Sequence, residues 1–128
     1  MRKHILIVDD MVSIRMFMRS LLERAGLPVC GEASNGVEAV EAALRLKPDL
    51  ILLDYSMPKM NGAEAASILK DHLPEVRIIL FTLHAHDALQ ALEKAINVDL
   101  VLAKLDGMDN LIVHIKTLLD IDSKAASA

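Results

Sequence analysis

Aromatic side chains are almost missing from this 128-residue chain: no tryptophan, one tyrosine and two phenylalanines make up 2% of its composition. A site that grips a flat cofactor between rings, as a flavin carrier does, has few stacking partners to draw on. Cysteine is equally scarce. Cys30 stands alone, so no internal disulfide can form, and its apolar neighbours point to a buried structural thiol rather than a reactive one. The longest purely apolar runs are a few residues, against the roughly twenty needed to cross a bilayer, so no membrane partner is expected. Positive charge is in deficit, with 14 Lys and Arg against 18 Asp and Glu and a net charge of -4. A broad nucleic-acid footprint needs clustered cations, so any DNA contact is expected of another domain. Also missing is Gly-x-Gly-x-x-Gly after the first apolar run, which excludes the usual dinucleotide turn. Met1-Arg2-Lys3-His4 runs into apolar sequence without a small-residue cleavage site, so no secretory signal is read and a cytoplasmic location is expected.

What is present is regular. Five short apolar runs, at residues 4–8, 28–33, 50–53, 77–81 and 100–103, read as strands, the second being the weakest. Their β-branched and Leu content without polar alternation suits strands covered on both faces. Between and after them lie stretches of helical spacing: Ile14, Phe17, Met18, Leu21 and Leu22 before Gly26 and Pro28; Val37, Val40 and Leu44 before Pro48; Ala65, Ile68 and Leu69 before Pro74; Leu89, Leu92 and Ile96 before Asn97; and Leu111, Ile112, Ile115, Leu118 and Leu119. Strict alternation with right-handed crossovers predicts an α/β, doubly wound, five-stranded parallel sheet of order 2-1-3-4-5, flavodoxin-like in layout. One domain is expected over residues 1–122, with 123–128 a loose tail that carries no large apolar side chain.

In such a sheet, ligands bind at the carboxyl ends of the strands, around the switch point between the first and third. Asp9 and Asp10 follow the first run, Asp54 the third, Thr82 the fourth and Lys104 the fifth. Taken singly, each has a plain structural reading: Asp9 or Asp10 capping the first helix, Asp54 stabilising a turn. Together they converge on one crevice. Three carboxylates repel one another unless a cation sits among them, and magnesium suits hard oxygen ligands where no cysteine or histidine pair offers a zinc site. Magnesium and Lys104 would balance the three acids, leaving a site able to accept a phosphoryl dianion. Asp54 is then the natural nucleophile and the Thr82 hydroxyl a donor to the transferred group.

These residues, with Asp54-Tyr55-Ser56-Met57-Pro58 and Gly62, resemble the response-regulator receiver family over nearly the whole chain. The resemblance implies Asp54 as phosphoacceptor, Asp10 as a direct magnesium ligand, Asp9 as a partner acting largely through water, and Ser56 contributing its backbone carbonyl. It further implies Thr82 as the switch hydroxyl and Lys104 paired with a phosphoryl oxygen. The partner it implies is a sensor histidine kinase or a histidine phosphotransfer protein, with an output partner the sequence does not name; dimerisation stays open. The chain would be a signalling domain, with self-phosphorylation from phosphodonors and self-dephosphorylation as its only chemistry. Three positions depart from the family pattern. Leu105 follows Lys104 where many receivers have a cis proline, so a trans bond is expected. Val101 stands where a reorienting Tyr or Phe is common. Leu83 follows Thr82 where a small residue is usual, and its bulk would slow loss of the phosphoryl group. His84 and His86 offer no third zinc ligand; His84 and Ser56 stand where receivers tune dephosphorylation. The Thr82-Leu83-His84 stretch and the missing proline resemble receivers that precede a helix-turn-helix output domain. Two other functions fit less well: a degenerate receiver used as a constitutive binding module, and a magnesium-dependent aspartyl-phosphate hydrolase, whose Asp-x-Asp pair is missing.

Overall fold

The computed structural model describes residues 3–82, 98–103 and 110–120. Strands β1 (Ile5–Val8), β2 (Val29–Ala33), β3 (Leu50–Asp54), β4 (Arg77–Thr82) and β5 (Leu100–Ala103) form one parallel sheet in the order β2-β1-β3-β4-β5. Helices α1 (Val12–Arg24), α2 (Gly36–Leu46) and α3 (Gly62–His72) follow the first three strands, and α4 (Leu111–Leu118) is the last helix read from the sequence. The helix read over residues 89–96, the tail, and Leu83, His84, His86, Lys104 and Leu105 lie outside the described residues.

Alternation along the strands divides the core into two layers, as the pleat requires. Leu6, Val8, Ile51, Leu53, Ile78 and Leu80 pack with α2 and α3, while Ile5, Ile7, Leu50, Leu52, Ile79 and Phe81 pack with α1 and α4. Every residue of β1 and β3 is buried, whereas β2 and β5 at the edges are mostly half-buried. Each fully buried aliphatic side chain contributes roughly 1.5–3 kcal/mol, so the two central strands anchor the domain.

The stripes expected for α3 and α4 pack inward, whereas α1 and α2 depart from expectation at particular positions. In α1, Met18 and Leu22 are buried, but Phe17 is 55% exposed, and Met11, Val12 and Met16 near the helix start are exposed too. Phe17 lies about 100° round the helix from Met18, which carries it off the buried face. In α2 the buried residues are Gly36, Ala39, Ala42 and Ala43, while Val37 and Leu44 face solvent. Small side chains there let α2 lie close against α3, whose own buried face is Gly62, Ala63, Ala65, Ala66 and Leu69.

The stop of α1 has a local cause. Gly26 takes φ 77°, its N–H donates to the Glu23 carbonyl and the Leu27 N–H to the Leu22 carbonyl, both at 3.0 Å, and Leu27 is buried. This is a Schellman cap with its apolar partner in place. At α3, Asn61 and Glu64 form a reciprocal capping box, which fixes where the loop from Asp54 enters the helix.

Candidate functional site

Register brings the strand ends level. Val8 pairs with Leu53, Leu53 with Leu80, and Asp54 with Phe81, so Asp9 and Asp54 leave adjacent strands at the same height. Pairing continues past β1, where the Asp9 N–H donates to the Ala33 carbonyl (3.1 Å), and past β3, where the Tyr55 N–H donates to Phe81 (2.8 Å). Asp54 and Thr82 are the last residues of their strands rather than the first residues beyond them, because the backbone stays paired one position after the apolar run ends.

One carboxylate oxygen from each of Asp9, Asp10 and Asp54 lies within 4.8 Å of the other two. Asp9 and Asp54 are buried, at 0% and 3% exposure, while Asp10 is open to solvent. At such separations, and at an effective dielectric of about 20, two buried carboxylates repel by about 3 kcal/mol or more. Ligands on opposite sides of a magnesium ion lie at most about 4.2 Å apart, so small side-chain rotations would close this cluster around one. The donor set is all hard oxygen, with no thiolate or imidazole in the group, which fits magnesium and not zinc.

The structural readings of these acids are partly present. Asp9 Oδ1 accepts the Met11 N–H (2.8 Å) and Asp54 Oδ1 accepts the Ser56 N–H (3.2 Å), so both support local turns. Neither Asp9 nor Asp10 is the N-cap of α1, which is Met11 with no side-chain capping bond. A carboxylate offers about four lone-pair sites, so one turn amide is compatible with a cation on the same group. Thr82 is buried at the end of β4, and Ser56 sits exposed in the turn after Asp54. Lys104, one residue past the end of β5, lies outside the described residues.

Gly62 positions Asp54 by proximity, not by an unusual dihedral. An added Cβ would lie 2.5 Å from the Asp54 carbonyl oxygen and 2.8 Å from the Tyr55 Cα, and the Gly62 N–H donates to the Tyr55 carbonyl at 2.8 Å. The left-handed residue of this loop is Lys59, at φ 72°.

Arg15 and Glu32 escaped the sequence reading. Arg15 Nη1 donates to the Asp9 carbonyl (2.6 Å) and its Nε to Glu32 (2.9 Å), which also accepts from Arg19 Nε (2.7 Å). Only the sheet order, which sets β2 beside β1, reveals that Glu32 is near. Burial raises the Glu32 carboxyl pKa, but hydrogen bonds from Arg19 and Arg15 outweigh it and hold the group below its ordinary 4.5. The same pairing raises Arg19 further. Because the folded value is the lower one, the pair stabilises the fold fully above about pH 4.5 and less as pH falls through the folded value. Glu32→Gln is therefore expected to flatten the acid limb of a stability-against-pH curve; an unchanged limb would show that the pair contributes nothing there.

A groove of about 520 Å³ lined by Pro48, His72, Pro74, Arg77 and Leu118 lies at the opposite end of the sheet, where β3 and β4 begin. Among the described residues, no helix is long and apolar enough to cross a membrane.

The response regulator receiver domain family matches residues 5–116. Among curated relatives, the chemotaxis protein CheY of Thermotoga maritima is 44% identical over 80 residues, covering 62% of this chain and 67% of that protein. The nitrate/nitrite response regulator protein NarL of Escherichia coli is 41% identical over 93 residues, 70% of this chain and 43% of its own length. Other relatives are matched over as little as 24% of their length. Among solved structures, the response regulator protein TrrA of Thermotoga maritima, in complex with Mg(2+)-BeF, superposes with a TM-score of 0.79 at 30% identity, covering 91% of this chain and 98% of that one. A match that runs through all five strands and reaches into the last helix shows that this chain belongs to the response regulator receiver domains of two-component signalling.

Proposed function

We propose that the chain carries a phosphoryl group on Asp54, taken from a phosphohistidine of a sensor kinase or a histidine phosphotransfer protein. The observation that carries this reading is the gathering of Asp9, Asp10 and Asp54 within 4.8 Å at the switch point of the sheet. In the transfer, an Asp54 carboxylate oxygen attacks phosphorus. The new P–O bond forms as the P–N bond breaks, and the electron pair returns to the imidazole nitrogen of the donor. Asp10 would ligate magnesium directly, Asp9 largely through water, with the second Asp54 oxygen and the Ser56 carbonyl completing the protein's share. When bound, the ion supplies positive charge that offsets the phosphoryl oxygens. Thr82 would donate its hydroxyl to one of those oxygens and Lys104 would pair with another. That a similar receiver was solved in complex with Mg(2+)-BeF supports magnesium as the cation.

Output would run as a shift of population toward the arrangement the phosphoryl group favours, altering the surface around β5 and α4. Val101 is half-buried in the core beside Leu80, its partner in register, so the aliphatic residue at this position is packing rather than a swinging ring. The chain is a signalling domain by family, and turnover of an external phosphate ester is not expected of it.

Incubation with a small phosphodonor and magnesium, followed by intact-mass measurement, tests acceptor and metal together. The parent is expected to gain one phosphoryl group, and Asp54→Asn or chelation of magnesium to abolish the gain. An unmodified parent, or equal labelling of Asp54→Asn, would remove Asp54 as the acceptor. Sustained release of phosphate from an ester would favour the hydrolase instead.

A further inference from the structure

Asp9 is held at its main chain and its side chain, and the carbonyl of the peptide joining it to Asp10 is held by a residue outside the acidic cluster. That carbonyl oxygen, on Asp9, accepts Arg15 Nη1 at 2.6 Å. On the same residue, the N–H is tied to Ala33 of β2 and the carboxylate to the Met11 amide. Both acidic side chains depart from the two ends of this peptide, so its orientation decides where their oxygens point. Arg15 is itself fixed, because Nε of the same planar guanidinium donates to Glu32 on β2, and Glu32 is shared with Arg19, which also pairs with Glu23. The Arg15 and Glu32 side chains are only 15% and 28% exposed, so this is more than a loose surface pair.

We propose that Arg15 is a positioning residue that braces the Asp9-Asp10 peptide for the cation, with Glu32 as its anchor on β2. The inference rests on the magnesium reading above. Two properties of the arrangement carry it. A guanidinium presents its N–H groups in a rigid fork, so one side chain can join a main-chain oxygen to a carboxylate on another strand at fixed geometry, which a lysine cannot do. The second property is the charge pairing: the guanidinium has its own carboxylate partner on β2, so its charge is met by Glu32 while it holds the Asp9 carbonyl.

The test is a calorimetric titration of the full chain with magnesium chloride. Arg15→Ala is expected to bind about tenfold more weakly, the low end of what loss of a supporting residue around metal ligands costs, with a modest fall in metal-free melting temperature from the lost pairing with Glu32. Arg15→Lys is expected not to recover the affinity, and it keeps the test alive if the alanine variant fails to fold. Glu32→Ala should weaken binding in the same direction. If the two residues act as one unit, the double variant will bind no more weakly than Arg15→Ala alone. In the metal-free protein, the amide resonances of Asp10 and Met11 should shift in Arg15→Lys, a readout that needs no metal. Parental magnesium affinity in both Arg15 variants would overturn the brace while leaving the site intact. Full additivity of the Arg15 and Glu32 variants would overturn the role of Glu32 as anchor. A parent that binds no magnesium would overturn the cation reading and this inference with it.

Discussion

Gly62→Ala is expected to lower the stability of the fold by about 2 kcal/mol and to weaken magnesium binding as well, although it replaces one small residue with another at the first position of a helix. The new methyl carbon would lie 2.5 Å from the Asp54 carbonyl oxygen, 2.5 Å from Leu80 Cδ1 and 2.8 Å from the Tyr55 Cα. Leu80 can turn its side chain away, but the two backbone atoms belong to Asp54 and the residue after it and cannot move without moving Asp54. Overpacking of this kind typically costs about 1–3 kcal/mol, against which alanine's better helix propensity returns at most about 1. The start of α3 must back off, lengthening the Gly62 N–H bond to the Tyr55 carbonyl and disturbing the turn in which Asp54 accepts from Ser56. Gly26→Ala is the control. It sits at φ 77° with nothing within 4 Å of a Cβ, so its cost is the left-handed backbone alone, about 1 kcal/mol. It lies far from the acids in the chain and should leave magnesium affinity unchanged. Denaturant unfolding with a magnesium titration separates the two. A Gly62→Ala chain with parental stability and affinity would show that the helix start yields at no cost.

The contrast between those glycines marks where the sequence was readable. Gly26 was visible as a helix stop because chirality alone makes it one, whereas the need for glycine at 62 arises from the distance between α3 and β3, which no local pattern encodes. The strands followed the same division. β1, β3 and β4 were legible because they are covered on both faces and carry uninterrupted apolar runs, while β2, half-buried at the edge with Cys30, Gly31 and Glu32, gave the weakest signal. Strand ends were placed one residue short at Asp54 and Thr82, since a polar side chain ends an apolar run without ending the backbone pairing. In α2 bulk does not track burial, although Val40 packs on the core as its spacing predicts. Ala39, Ala42 and Ala43 make the contact, and Val37 and Leu44 are left outside. The acidic cluster was legible because sheet order alone turns residues 9, 10 and 54 into neighbours. Arg15 was not, because its partner is a main-chain oxygen, and every residue has one.

Charge at that cluster yields a prediction whose sign reverses with the metal. Without magnesium, Asp54→Asn is expected to be more stable than the parent by about 1 kcal/mol or more near neutral pH, because one of three gathered anions becomes neutral while two of them, Asp9 and Asp54, are buried. An asparagine Oδ1 can still accept the Ser56 N–H, so the turn after β3 is kept. In a chain of this length that gain corresponds to about 3 °C or more in melting temperature. Magnesium then acts by mass action on the folded state alone, raising parental stability by about 2.7 kcal/mol at a concentration 100 times its dissociation constant. The variant, having lost a ligand, should gain much less, so the two melting curves should exchange order as magnesium is added. Moderate monovalent salt should shift the metal-free difference only modestly, because buried charges are weakly screened. If Asp54→Asn is the less stable chain without metal, or if magnesium stabilises both chains equally, the three carboxylates do not share one cation, and the cluster is a set of turn-forming acids that happen to lie close together.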